Sequence, residues 1–249
     1  MTPDITYSVI TACWNSARTM TRCIDSILGQ TVLPKEYIFV DGGSSDGTRD
    51  LITQSFPGNS GSSGTIAWKL LEQGSVCGVP AAWNRALVHC TGDVIFILNS
   101  DDWYERNCAE RVLDAVRDQP DADIVLANAR TYKRGESEPC GVWRNRPEWL
   151  LPVLMPYVHP ACFVRRTVYE RLGGFDQFFP IAPDYDFLWR CKVGGMKFVK
   201  LPDVLTNFEL GGNANSHRKE ARLETYRIAK RYCRVFPIAA LAGRYLTGR

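Results

Sequence analysis

The chain has 249 residues, 45% hydrophobic and 23% charged, which is enough to bury a proper core. A net charge of +3 is too small to argue for a nucleic-acid partner, and no apolar run approaches the roughly 20 residues of a membrane-spanning helix. The nine cysteines form no CxxC pair and no Cys/His cluster, which argues against zinc and against a disulfide framework.

Residues 7–12 (YSVITA) read as a buried first strand, with a loop at 14–16. Ala17, Met20, Ile24, Ile27 and Leu28 have helical spacing. Residues 37–40 (YIFV) form a second strand, ending in the turn-rich string DGGSSDGT before a helix over 48–55. After a Gly/Ser-rich loop come a strand over 66–71, a helix over 80–89 and a strand over 94–98 (VIFIL). This alternation predicts an α/β fold, a mostly parallel central sheet with helices on both faces. A helix over 109–117 and a strand over 124–127 extend it. The pattern then changes to a polar, Gly- and Pro-containing stretch over 132–146. Strands over 161–165, 198–201 and 205–208 follow, with helices over 167–172 and 184–192. One domain over 1–212 is expected, with no internal repeat. The absence of a basic-then-apolar leader, together with the unpaired cysteines, gives the expectation of a cytoplasmic protein.

Three acidic stretches invite chemistry. Asp41 ends the second strand before Gly42-Gly43, where a dinucleotide-binding fold would place a ribose ligand. No GxGxxG follows the first strand, so a dinucleotide enzyme is disfavoured. What remains is an acid beside a close-approach turn, with Trp14 available to flank a flat base. A tight turn with an Asp46 or Ser45 cap accounts for the same residues. The strand over 94–98 runs into Asn99-Ser100-Asp101-Asp102, at the sheet edge where open α/β folds bind ligands. Adjacent carboxylates repel and need a counter-cation, and their hard oxygens suit Mg²⁺ or Mn²⁺. Capping of a helix over 105–117 by Asp102 is the structural alternative. Asp184 and Asp186 open a third, aromatic stretch. Two apart on a helix, they point to different faces, and Asp186 is expected to cap the helix and form a surface ion pair with Arg190.

In order and spacing, Thr11-Ala12-Cys13-Trp14-Asn15, the run YIFVDGGSSDGT over 37–48, Ala82-Trp83-Asn84-Arg85-Ala86 and Asn99-Ser100-Asp101-Asp102-Trp103-Tyr104 resemble the glycosyltransferases of family 2, of GT-A fold. His159-Pro160, Leu172-Gly173-Gly174-Phe175-Asp176 and Pro183-Asp184-Tyr185-Asp186 carry the resemblance over nearly all of the chain. It implies an inverting transfer of a sugar from a nucleotide-diphosphate donor to an acceptor hydroxyl, of envelope polysaccharide or glycolipid type. Residues 1–128 would bind the nucleotide-sugar and 129–212 the acceptor. Asp41 would read the base, in a pocket lined by Thr11, Ala12, Trp14, Asn15 and Gly42, with Asn84, Ser100 and Asp101 also on the nucleotide. Asp102 would be the direct ligand of Mg²⁺ or Mn²⁺, with Asp101 sharing the site on the ribose side and His217 a further candidate. Asp184 would be the general base. Two positions depart from the family pattern: Pro183 replaces the usual Glu before the base, and Ala81 stands where many relatives carry Asp.

Two rivals are weighed. A sugar-nucleotide pyrophosphorylase needs a Gly-rich phosphate loop with a basic residue after the first strand, which Cys13-Trp14-Asn15 is not. A non-catalytic nucleotide- or glycan-binding relative is opposed by intact Asp101, Asp102 and Asp184. Residues 213–249, finally, hold nine Lys/Arg against two Glu. Leu223, Tyr226, Ala229, Cys233 and Phe236 form an apolar stripe, with arginines off it, so an amphipathic helix over 216–236 is expected. Packing on the body and contact with anionic lipid headgroups both remain open. The second would suit a lipid-linked glycan acceptor at the inner face of the cytoplasmic membrane.

Overall fold

In the computed structural model, which describes residues 4–56, 62–63, 66–73, 78–212 and 217–233, the apolar runs of the first half pair in parallel. Strands β1 (Tyr7–Cys13), β2 (Glu36–Asp41), β4 (Ile66–Glu72) and β5 (Val94–Ile97) lie in the order β4-β2-β1-β5. β1, β2 and β5 are buried on both faces, so their residues alternate between two cores, whereas β4 exposes alternate residues. Val9, Phe39 and Phe96 face one core, shared with α1 (Ala17–Leu28), α2 (Thr48–Ser55) and α4 (Cys108–Asp118). Ile10, Ile38, Val40, Ile95 and Ile97 face the other, shared with α3 (Val79–Leu87), α5 (Arg166–Leu172) and α6 (Pro183–Val193).

Beyond β5 the sheet is mixed. β9 (Cys162–Arg165) lies antiparallel between β5 and β7 (Ile124–Lys133), and β10 (Phe198–Leu210) runs parallel to β7. β10 is one strand with irregularities between Lys200 and Thr206, not the two strands expected over 198–201 and 205–208. Two-residue strands β3 (Ser62–Ser63) and β6 (Trp103–Tyr104) close the edges. The polar stretch after β7 folds back as β8 (Pro139–Trp143), a hairpin partner of β7 that its exposed, Gly- and Pro-containing sequence concealed.

A buried carboxylate fixes the base of the sheet. Glu36 accepts from Ser8 Oγ, from Thr91 Oγ1 at 2.8 Å and from the Gly92 N–H at 3.1 Å. Burial alone would raise its pKa, but these donors more than offset that and leave it lowered. Gly92 is required here, because a Cβ would lie 2.6 Å from the Ser8 nitrogen.

The C-terminal helix α7 (Arg218–Tyr232) packs against α6. Its buried face is Glu224, Thr225, Ile228 and Ala229, whereas Leu223 is 48% exposed. The predicted stripe is therefore rotated by about one residue, with Glu224 turned inward onto the Ile181 and Ala182 N–H groups just ahead of α6. Phe236 and Arg234 lie outside the described residues. Among those described, the cysteines are unpaired and mostly buried, and no helix is long and apolar enough to cross a membrane.

Candidate active site

The loops leaving β1 and β2 are laced into one surface. The Gly42 N–H donates to Cys13 O at 2.8 Å, and the Asn15 N–H donates to Ser44 Oγ at 2.8 Å. Asn15, held at φ 49°, accepts from the Ser45 N–H at 2.9 Å. Asp46 joins two helices: one oxygen takes the Ala17 N–H at the start of α1, the other the Thr48 N–H and hydroxyl at the start of α2. Ser16 reaches across to Ser100, hydroxyl to hydroxyl at 2.8 Å, which ties this surface to the end of β5. A Cβ on Gly42 would touch Trp14 at 3.4 Å, so the indole lies close over the turn, and Trp14 is 60% exposed. The result is an exposed flat ring above backbone at the strand ends.

Asp41 is buried at the end of β2. Its carboxylate accepts from the Gly43 and Ser44 N–H groups at 3.0 and 2.9 Å and from Ser44 Oγ at 2.5 Å. It thus builds the turn that the sequence also allowed. An ionised carboxylate has about four acceptor positions, so capacity remains. Thr11 is turned inward, bonded to Leu98 O at 2.8 Å and Tyr37 Oη at 2.9 Å. Asn84 is also engaged: its amide exchanges two hydrogen bonds with the Phe175 backbone, at 2.8 and 2.7 Å. Gly174 sits so close to it that a Cβ would be 2.2 Å from Asn84 Oδ1. The side chains of Thr11 and Asn84 therefore brace the walls.

Asp101 and Asp102 follow β5. Helix α4 begins only at Cys108, with Asn107 before it, so Asp102 caps no helix. Asp102 is fully buried; Oδ1 accepts the Glu209 N–H at 2.9 Å and Oδ2 the Asn99 amide at 3.0 Å. Burial and the adjacent Asp101 charge push its pKa well above the carboxylate range. Asp101 is only partly buried and lies nearer the surface. Burial raises its pKa too, then Glu209, with Arg134 and Arg18 offsetting in part. Gly212 approaches it, a Cβ there lying 4.0 Å from Oδ2. Three residues missed by the sequence reading complete the cluster. Glu209 on β10, 2% exposed in its side chain, takes Arg18 at 2.5 Å and Arg22 at 3.0 Å from α1. Arg22 also donates to Asp101 O at 2.9 Å and lies over the Trp103 ring, 3.6 Å from its centroid. The signal was present: two arginines four apart on the polar side of α1, and one acid inside an apolar strand.

The arginines are thus committed to Glu209, and the Asp101–Asp102 pair is short of positive charge. Hard oxygens with raised pKa values and, among the described residues, no side-chain ion pair of their own fit Mg²⁺ or Mn²⁺. Among the described residues no set of three His, Cys, Asp or Glu side chains could hold the ion alone. His217 is exposed at the start of α7 and joins no such set.

Asp184 occupies the first turn of α6, with Pro183 at the first helical position. That explains one departure from the family pattern, since proline is pre-set for this position and needs no N–H there. Burial raises the Asp184 pKa to about 6, despite a 2.9 Å bond from the Tyr185 N–H. Its charge is felt at Cys162, the first residue of β9. Because β9 is antiparallel to β5 and pairs Phe163 with Phe96, Cys162 lies at the edge where β5 ends in Asp101 and Asp102. Asp186, two residues on, is fully buried rather than at the surface. It binds Arg190 at 2.9 Å, as the spacing predicted, and also Tyr232 Oη at 2.9 Å and Arg231 at 3.3 Å from α7. Nearby, His159 stacks on Trp83 at 4.5 Å, and burial lowers its pKa to about 4, so it stays neutral.

A family model described as Glycosyl transferase family 2 matches residues 8–173, a span that holds Asp41, Asp101 and Asp102 and ends before Asp184. A PGL/p-HBAD biosynthesis glycosyltransferase of Mycobacterium tuberculosis is 28% identical over 186 residues, covering 74% of this chain and 69% of that protein. The fold is similar to that of the mannosyltransferase PcManGT from Pyrobaculum calidifontis in complex with GDP-Man and Mn²⁺. The TM-score is 0.71 at 20% identity, over 98% of this chain and 70% of that one. It is also similar to S. aureus TarS 1-349 in complex with UDP-GlcNAc, with TM-score 0.71 at 17% identity, over 98% of this chain and 76% of that one.

Proposed function

This chain belongs to glycosyl transferase family 2, and on that premise we propose that it moves a sugar from a nucleotide-diphosphate donor to an acceptor hydroxyl with inversion at the anomeric carbon. One observation carries the reading. Asp184, a carboxylate with pKa about 6, opens α6 close enough to Cys162 for its charge to be felt there, and β9, which starts at Cys162, pairs with the strand β5 that runs on into Asp101 and Asp102.

Above pH 6 Asp184 is ionised and can take the acceptor proton as the oxygen attacks. Attack comes from the face opposite the leaving diphosphate, so the bond to the diphosphate oxygen breaks as the new one forms. A single displacement needs one base and no covalent enzyme intermediate, by the logic of inverting glycosidases. Trp14 stacks on the base, and Asp41 accepts a base N–H with its remaining capacity. Asn15, Gly42 and Ala12 supply backbone around it, while Ser100 and Asp101 face the ribose. Asp102 and Asp101 hold Mg²⁺ or Mn²⁺, which when bound neutralises charge on the leaving diphosphate. Support for donor and metal comes from the GDP-Man, Mn²⁺ and UDP-GlcNAc complexes of the similar folds.

The acceptor is a glycan, on this reading lipid-linked. What favours that is the outer face of α7, where Arg218, Lys219, Arg222, Arg227 and Lys230 are exposed around the apolar Leu223. Such a face suits an anionic membrane surface.

A screen of UDP- and GDP-sugars with Mn²⁺ for thermal stabilisation identifies the donor. With that donor, Asp184→Asn is expected to keep stabilisation and to lose roughly 10²- to 10⁴-fold in transfer. The product anomer, read by proton NMR, should be inverted. A fully active Asn variant would remove Asp184 as base, and a retained anomer would remove the single displacement.

A further inference from the structure

Glu224, Arg231 and Tyr232 of α7 all make polar contacts with the segment that carries Asp184. Glu224, 7% exposed, accepts the Ile181 N–H at 2.9 Å and the Ala182 N–H at 2.8 Å, both on the one oxygen Oε2. Arg231 reaches Asp176 at 3.0 Å and Asp186 at 3.3 Å, and Tyr232 bonds Asp186 while stacking on Trp189 at 5.7 Å. Ile228 fills the small core of Leu151, Phe179, Ala182, Tyr185 and Trp189 beneath the same turn. The N–H groups at and just before the N-cap of α6, those of Ile181 and Ala182 among them, have no partner within the helix. A carboxylate delivered from another helix satisfies two of them.

Resting on the reading of Asp184 as base, we propose that Glu224 is its positioning residue: one Glu224 oxygen clamps the Ile181–Ala182 backbone and so fixes the turn from which Asp184 projects. Glu224 touches no substrate and acts through Asp184 in two separable ways, by geometry and by charge. The geometric part is the clamp. The electrostatic part is a negative charge facing Asp184 from α7, which adds to burial in favouring its protonated form. The other ionisable neighbours are accounted for: Asp186 is neutralised by Arg190 and Arg231, Tyr232 is bonded to Asp186, and Cys162 on β9 is a buried thiol with its pKa held high by burial.

Because a single oxygen takes both N–H groups, Glu224→Gln can keep the clamp with its amide oxygen while removing the charge. Glu224→Ala removes both. The titration of Asp184 is followed by carbon-13 NMR of its carboxyl, assigned by its loss in Asp184→Asn, and turnover of the stabilising nucleotide-sugar is measured against pH. In Glu224→Gln the Asp184 titration and the acid limb of turnover are expected to move together to lower pH, with maximal turnover kept within about two- to threefold. In Glu224→Ala maximal turnover should fall about tenfold or more, with the KM for donor unchanged, as mispositioning of a catalytic group does. An Asp184 titration in Glu224→Gln that overlays the wild type would overturn the proposal, as would undiminished turnover in Glu224→Ala. If instead Asp184→Asn is fully active while the carboxyl titration still shifts in Glu224→Gln, the reading of Asp184 as base fails and the coupling stands.

Discussion

At the scale of residues, Asp101, Asp102 and Asp184 are carboxylates held above their ordinary pKa. Asp184 illustrates the thermodynamic consequence. Its folded pKa of about 6 lies above the ordinary 3.8, so the folded state binds the proton more tightly. Stability is lost as pH rises between those values, and the charged side chain remains a burden above pH 6. Asp184→Asn is therefore expected to be more stable than the wild type by roughly 1–3 kcal/mol at pH 8, with the difference vanishing near pH 4. Urea unfolding at the two pH values measures this, and an Asn variant of equal or lower stability at pH 8 would show that the carboxylate is not buried as described. Asp102 and Asp101 differ in burial. The residue expected to meet the metal, Asp102, is the buried one with both oxygens bonded. Asp101 is the accessible one. Sequence could identify the pair but not this division, because it depends on Glu209, 107 positions away in the chain.

At the scale of elements, the parallel half of the sheet was legible because strands buried on both faces read as unbroken apolar runs, such as Val94 to Leu98. The hairpin β8 was not, since an exposed edge strand needs no apolar pattern. The face of α7 was misread for a related reason. Its inward face carries Glu224, whose partners are the Ile181 and Ala182 N–H groups just ahead of α6 and cannot be seen from α7 alone. Glu36 gives this scale its test. Its three donor residues lie at the turn between α3 and β5 and at the start of β1, so it ties three elements together. Glu36→Ala removes the acceptor of the Thr91 N–H and of the Ser8 and Thr91 hydroxyls, an expected loss of about 2–4 kcal/mol at pH 7. Because the folded pKa is lowered, that stabilisation is present above the unfolded value and disappears as pH falls through the folded one. Chemical denaturation of both proteins at pH 7 and pH 3 should show the gap closing. A constant gap would mean that packing, and not the charge, carries the effect.

At the scale of the whole molecule, charge is segregated. The candidate-site acids Asp41, Asp101 and Asp102 sit at the strand ends, and exposed bases line the outer face of α7, which is fastened to the body by its inner face. If that outer face meets anionic lipid, the wild type should sediment with phosphatidylglycerol vesicles at low salt and be released at high salt. Reversing Arg222 and Arg227 to Glu should weaken this at least tenfold, given about 1 kcal/mol per basic residue near the surface. Salt-insensitive or unchanged sedimentation would assign the basic face to solvent. The central claim, a metal-assisted nucleotide-sugar site built on Asp101 and Asp102, is tested most directly by calorimetric titration of a nucleoside diphosphate into the protein. Titrations are run with Mn²⁺ and with chelator, for the wild type and for Asp102→Ala. Binding that Mn²⁺ tightens in the wild type, and fails to tighten in Asp102→Ala, is the predicted result; equal affinity with Mn²⁺ and with chelator would contradict it.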